Sequence, residues 1–236
     1  MRKTELYAQK QGVAITCRSY TEYKEMFMLH KKDFRSDIVL DVGAGASSFT
    51  ASLTKTGHEA IAVDPLYNLS NEEMYELGRK EMKTASEKLS EKIHLFNWDY
   101  YHTLDDHDEM RNRSFQQFME QYRQDNTKEK YIPGTLPNLP FYDNTFSFVV
   151  CNHFLFLYQE QFDFSFHIEA IKELVRVTKK GGSILIYPLV DFKDERYPHL
   201  DKLISLLQKE SADAELCETD FRFLPSASHF LKVTVR

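Results

Sequence analysis

A chain of 236 residues with 42% hydrophobic and 14% aromatic content can bury one sizeable α/β core, which excludes disorder as its overall state. Its formal net charge of −6 argues against nucleic acid as a partner, because that binding leans on clustered cations. Cys17, Cys151 and Cys217 share no metal or redox spacing and read as reduced thiols. The start Met1-Arg2-Lys3-Thr4-Glu5 opens no apolar signal core, and runs such as Ile184 to Val190 are too short to span a bilayer, so the expectation is a soluble, cytoplasmic chain away from membranes.

Residues 1–36 are polar and aromatic and read as an N-terminal helical segment, with Tyr23, Met26 and Phe27 on one face of a helix from Tyr20 to His30. The basic run Lys31-Lys32-Asp33-Phe34-Arg35 is short and interrupted, as at a solvated helix end. Ile38 to Val42 then predicts a strand, Gly43-Ala44-Gly45 a turn, and Ser47 to Thr56 a helix. A second strand at Ala60 to Val63 stops at Asp64-Pro65. Residues 66–129 change character. Ser70 and Glu73 fit a capping box before an imperfect stripe of Met74, Leu77, Met82, Ala85 and Leu89, weakened by Gly78. An aromatic bridge, Ile93 to Tyr101, leads to a second helix from about Asp105 to Tyr122.

Strand signals return at Tyr131-Ile132 and at Thr145 to Cys151. A helix from about Phe166 to Thr178 is expected to stop at Lys179-Lys180-Gly181-Gly182, cations followed by glycine. Ser183 to Tyr187 reads as a strand and Leu200 to Lys209 as a helix. Two closing strands, Glu215 to Phe223 and Phe230 to Val235, are joined by the turn Leu224 to Ser228. Alternating strands and helices predict parallel βαβ units; the closing pair predicts an antiparallel hairpin at one edge.

Val39-Leu40-Asp41-Val42-Gly43-Ala44-Gly45-Ala46-Ser47-Ser48-Phe49 carries the chemistry. Glycines at 43 and 45 permit a tight turn and close approach of a ligand at the carboxyl end of a strand. Asp64, ending the next strand, can accept hydrogen bonds from two ribose hydroxyls. These features suit NAD and S-adenosylmethionine (SAM) alike. Ser48 stands where a pyrophosphate loop has its third glycine, and Asp41 would repel pyrophosphate but pair with a cationic amine. Both favour SAM, as does the terminal hairpin.

Over roughly residues 37–236 the sequence resembles the class I SAM-dependent methyltransferases. Asp41-Val42-Gly43-Ala44-Gly45 matches their glycine-rich motif and Val63-Asp64 their ribose motif. Gly134 to Val150 is similar to the segment entering their fourth strand, and Lys172 to Gly182 to the helix and turn that follow. The segment His153-Phe154-Leu155-Phe156-Leu157-Tyr158 resembles a narrower, largely uncharacterised bacterial group. The resemblance implies a Rossmann-like, seven-stranded, mostly parallel sheet with an antiparallel C-terminal strand and helices on both faces. The helical insertion of residues 66–129 would follow the second strand as a lid over the crevice.

It also implies that Asp41, Gly43, Ala44, Gly45, Asp64, Pro65, Thr135, Leu136 and Asn152 bind SAM, with no metal. Gly134-Thr135 replaces the family's Gly-Asp at the adenine contact, leaving the Thr135 hydroxyl or backbone to serve. His153 is the candidate general base, against the plainer reading of a strand-end residue packed on the cofactor. Cys151 reads as core rather than nucleophile. The acceptor is expected to be a small molecule, and no Asn/Asp-Pro-Pro-Tyr or Pro-Cys motif of the DNA enzymes occurs. A non-catalytic SAM-binding module is the alternative, and the insertion's aromatic faces would also suit a homodimer.

Overall fold

The structure, a computed structural model, describes residues 13–29, 34, 36–210 and 212–236. The chain start through residue 12, and His30 to Arg35 apart from Phe34, lie outside the described residues. So do those parts of the expected N-terminal segment and basic run.

Seven strands form one sheet: β1 (Ile38–Val42), β2 (Glu59–Val63), β3 (Tyr131–Ile132), β4 (Phe146–Asn152), β5 (Thr178–Tyr187), β6 (Ala212–Glu218) and β7 (His229–Val235). Their order is β3-β2-β1-β4-β5-β7-β6. The pairs from β3 to β5 are parallel, and β7 runs antiparallel to both β5 and β6. The unbroken apolar runs of β1 and β4 suit a sheet covered on both faces. Leu40, Val42, Val149, Cys151 and Ile184 point to one side, against Ala170, Ile171 and Leu174 of α5 (Phe164–Val177) and Leu203 of α6 (Leu200–Glu210). Val39, Phe148, Val150 and Leu185 point to the other. There they meet Tyr23 and Met26 of α1 (Tyr20–Met26) and Phe49 and Leu53 of α2 (Phe49–Lys55).

Between β2 and β3 lie α3 (Asn71–Glu91) and α4 (Leu104–Gln124). The Ser70–Glu73 capping box starts α3. Gly78 does not interrupt α3: a Cβ there would sit 2.4 Å from the Phe115 ring, so the glycine lets the two helices approach. Met82, Phe115, Phe118 and Tyr122 pack with Tyr67 and Tyr131 into a core of their own. Side-chain bonds tie α4 to α2. Ser114 Oγ donates to Ser48 Oγ at 2.9 Å, Gln117 Nε2 to Ser52 Oγ at 2.9 Å, and Gln121 Nε2 to Thr54 Oγ1.

Two expectations need correction. The Lys179-Lys180-Gly181-Gly182 run is not a helix stop. Thr178 is already extended and the run lies within β5, where the register jumps from Phe146↔Thr178 to Phe148↔Ser183 and Gly181 takes φ +76°. The two glycines absorb a strand irregularity rather than a helix end. At the edge, β6 begins and ends earlier than expected. Phe221 and Phe223 alternate like strand residues, yet both are buried in a loop, with Phe221 against Tyr100 and Tyr101 and Phe223 against Phe96 and Trp98.

Candidate functional site

At the end of β1, Gly43 and Gly45 adopt φ values of +66° and +55°, and the Gly43 N–H donates to Val63 O at 2.9 Å. The segment Val13 to Ser19 crosses this turn: Ala46 N–H donates to Thr16 O and Ser48 N–H to Arg18 O, both at 3.0 Å. A Cβ on Gly45 would lie 3.2 Å from Thr16 O, and one on Gly43 3.2 Å from the Phe154 ring. The glycines therefore accommodate the chain's own neighbours, in addition to the tight turn and ligand approach expected of them.

Beside the turn opens a cavity of about 290 Å³. Gly43, Gly45, Asp64, Pro65, Thr135 and Leu136 line it, with Val42, Val63, Leu66 and Phe162 as apolar walls. Asp64 is 7% exposed; its carboxylate accepts the Gly45 N–H at 3.0 Å and the Leu66 N–H at 2.9 Å. Burial pushes its pKa up to about 6, against the lowering effect of those two bonds. A carboxylate has about four acceptor positions, so two remain for a ligand. A pair of hydroxyls on a mostly apolar small molecule fits these two acceptor positions. The Thr135 hydroxyl donates to its neighbour's carbonyl, Leu136 O, at 3.2 Å.

Three expected cofactor residues do not line the cavity. Ala44 is buried among Ile15, Cys17 and Ala46. Asp41 faces the α1 side of the sheet, where both its oxygens accept from the Tyr23 hydroxyl at 3.1 and 3.2 Å. Burial pushes its pKa up to about 8, with the charge of Asp64 adding to the rise and Tyr23 opposing it. It is thus mostly protonated at neutral pH and bonded to Tyr23, outside the cavity lining. Asn152 is 2% exposed, with Nδ2 at 3.3 Å from Met26 Sδ and a further bond to the Tyr23 hydroxyl.

Asn152 acts on its neighbour instead. Its Oδ1 lies 2.6 Å from His153 Nδ1; an amide oxygen only accepts, so Nδ1 carries the proton and Nε2 keeps its lone pair. His153 holds a left-handed φ of 53°, and its N–H donates to Tyr187 O at 2.7 Å. Burial, then the Arg18 and Arg111 charges, hold its pKa well below the usual value, so the imidazole is neutral.

His153 also lines a second, smaller cavity of about 90 Å³, and shares both cavities with Ala14, Ile15 and Thr16. This one is walled by Leu89 and Lys88 of α3, His107 and Arg111 of α4, and Leu157, Phe192 and Phe223. Arg18 is neutralised by Glu22 at 2.9 Å and bonds the Tyr101 hydroxyl, which in turn donates to Glu22. Burial pulls His107 down to about 4 and pushes the Cys151 thiol up to about 12, so Cys151 is an inert core residue. Among the described residues no cluster could hold a metal ion. Arg18 and Arg111 escaped the sequence reading, though a signal exists: His107, Arg111, Phe115, Phe118 and Tyr122 share one helical face, placing a cation on a buried stripe.

This sheet order, with a glycine turn after β1 and an acid ending β2, defines a class I SAM-dependent methyltransferase fold. Residues 95–186 match the family model for a methyltransferase domain. The chain is 30% identical over 226 residues, 95% of its own length and 97% of the relative's, to the uncharacterized protein MJ0045 of Methanocaldococcus jannaschii. It belongs to one family with that relative and carries a methyltransferase domain, whose cofactor is SAM. The fold is similar to that of PH0226 from Pyrococcus horikoshii, at 16% identity, TM-score 0.50 and coverage of 92% and 89% of the two chains. It is also similar to SAM-bound magnesium protoporphyrin IX methyltransferase from Synechocystis, at 12% identity, TM-score 0.50 and coverage of 92% and 78%.

Proposed function

We propose that the chain transfers the methyl group of SAM to a small-molecule acceptor seated in the second cavity. The observation that carries this reading is the meeting of the two cavities at His153. Bound SAM supplies an electrophilic methyl group on a sulfonium. Asp64 accepts the two ribose hydroxyls, and Val42, Val63 and Leu136 cover the apolar parts. His153 Nε2 accepts the O–H or N–H of the incoming nucleophile and takes its proton as the new bond forms. Asn152 keeps the imidazole in the one tautomer able to do so.

The insertion of residues 66–129 serves as the outer wall of the acceptor cavity, with α3 and α4 supplying its lining. Apolar walls around the reacting atoms keep water out and hold the nucleophile in line. A volume of about 90 Å³ suits a small molecule better than a stretch of polymer. The narrower kinship is with an archaeal relative, alongside the bacterial group that the His153 to Tyr158 segment resembles.

The test is incubation with methyl-labelled SAM and the small-molecule, protein and RNA fractions of one lysate. Label in the small-molecule fraction alone is expected. Label in RNA or protein rejects the small acceptor, and none in any fraction leaves a SAM-binding module. With the labelled acceptor in hand, His153→Ala should lower kcat about a hundredfold and leave S-adenosylhomocysteine (SAH) affinity nearly unchanged.

A further inference from the structure

We propose that Arg111 anchors an anionic group, a carboxylate or a phosphoryl ester, on the methyl acceptor. This rests on reading the second cavity as the acceptor site and names the class of molecule it takes.

Arg111 is only 7% exposed, yet it lines that cavity. Among the described residues no carboxylate lies within ion-pair distance of it, and only the charge of Asp108 acts on it from farther off, whereas Arg18, lining the same cavity, is matched directly by Glu22. Its polar neighbour is the Cys17 thiol, which burial pushes up to about 11 and so keeps protonated and neutral. The nearest acid on its own helix, Asp108, is engaged by His107 Nδ1 at 3.0 Å and by the Ser86 hydroxyl. A buried cation whose nearby carboxylate is already held by other partners is costly, and a ligand anion would supply a direct counter-charge. The planar guanidinium presents paired donors that match carboxylate and phosphoryl oxygens.

The rest of the lining agrees. Leu89, Leu157 and Phe223 are apolar, so the site fits a small molecule with an apolar body and one charged end. The arrangement also couples binding to chemistry. Burial is the main reason His153 is a poor base, and Arg111 is one of the two cations that add to it. An anion seated on Arg111 cancels part of that field and raises the proton affinity of His153 only when an acceptor is present.

The test uses the full chain saturated with SAH and three probes: propionate, ethyl phosphate and the neutral propionamide. Ligand-observed NMR should find one or both anions binding about tenfold or more tighter than propionamide. The stronger anion tells a carboxylate from a phosphoryl group. Arg111→Met should erase the preference while SAH affinity stays within about threefold of wild type, and Arg111→Lys should retain part of it. If Arg111→Met does not fold, the wild-type comparison decides alone. No preference for either anion, or a preference intact in Arg111→Met, overturns the inference. An interligand Overhauser effect between probe and SAH separates the two readings. With that effect but no anion preference, the Arg111 inference fails and the acceptor cavity stands. Anion preference without the effect places the anion away from SAH, and both readings fail.

Discussion

The two cavities that meet at His153 are built by different means. The cofactor side is assembled from the carboxyl ends of β1 and β2 and the loop after β3. The parallel ladder fixes those ends: Val42 pairs with Val63, and Val63 with Ile132. The proposed acceptor side gathers the N-terminal crossing segment, faces of α3 and α4, the end of β5 and the loop before β7. It is held by side-chain contacts, such as the serine and glutamine bonds from α4 to α2 and the stacking around Phe223. A ladder dictates position from backbone alone, while packing dictates it only through the particular side chains present. Variants on the two sides should therefore fail separately.

The largest effect is expected at Asp64. Each ribose hydrogen bond to a charged acceptor is worth about 1.5–3 kcal/mol, so Asp64→Ala should weaken SAH binding by about a hundredfold. The bond is to the ionised form, whose pKa is raised to about 6, so wild-type affinity should fall as pH drops through about 6. Asp64→Asn should bind weakly without that slope. Calorimetry between pH 5 and 8 checks both, and wild-type affinity independent of pH would remove Asp64 from the ribose.

This contrast also explains what could be read in advance. The seven strands, the glycine turn and Asp64 were legible because a strand end and a turn have local signatures in residue type and spacing. The Ser70 capping box was legible for the same reason. The partner of Asp41 was not, because Tyr23 reaches it from a helix that precedes the sheet. Nor was the role of Glu173 and Arg176. They secure the stretch after β3, with Glu173 accepting the Leu139 N–H at 2.6 Å and Arg176 donating to Phe141 O at 2.9 Å. The Lys179 to Gly182 run misled because cations followed by glycine can end a helix or cushion a bulge, and only strand pairing decides.

Next in size is Gly78→Ala, which strikes the acceptor side alone. Alanine gains up to about 1 kcal/mol in helix propensity. Its Cβ would lie 2.4 Å from Phe115, whose ring is 2% exposed and stacked against Tyr75 and Phe118, so it has no easy retreat. Overpacking of this kind costs about 1–3 kcal/mol, leaving a net loss of about 1 kcal/mol. Urea unfolding should register it, while SAH affinity per folded molecule stays near wild type. A stabilised variant would mean that α3 and α4 are less tightly set than the acceptor cavity requires.

A smaller, pH-shaped effect is expected from Tyr23→Phe beneath the cofactor side. The folded pKa of Asp41 is raised from 3.8 to about 8, so the native state binds the extra proton between those values. Its contribution to stability therefore declines as pH rises through that window. The Tyr23 hydroxyl limits the rise, and removing it carries the decline to higher pH. The variant should lose about 1 kcal/mol, with the larger deficit at pH 9 than at pH 6. Equal deficits at both values would mean that the Tyr23 hydroxyl does not set the Asp41 titration.

The smallest signal separates the two sides without a mutation. Trp98 is the chain's single tryptophan, and its indole N–H donates to Ile93 O at 2.7 Å. It lines neither cavity, but it stands edge-on to Phe223 at 5.3 Å and to His107 at 6.2 Å, and both of those rings wall the acceptor cavity. Among the described residues, no cofactor-side ring stands against it in this way. A ligand in the acceptor cavity should therefore displace Phe223 or His107 slightly and shift Trp98 emission by a few nanometres at most, roughly the response of an indole whose neighbours move and whose hydrogen bond survives. SAH alone should leave the emission nearly unchanged, and propionate added to the SAH complex should move it. If SAH alone produces the full shift, the α3–α4 wall closes on the cofactor itself. The insertion would then act as one lid over both cavities, and the separation drawn between the two sides would collapse.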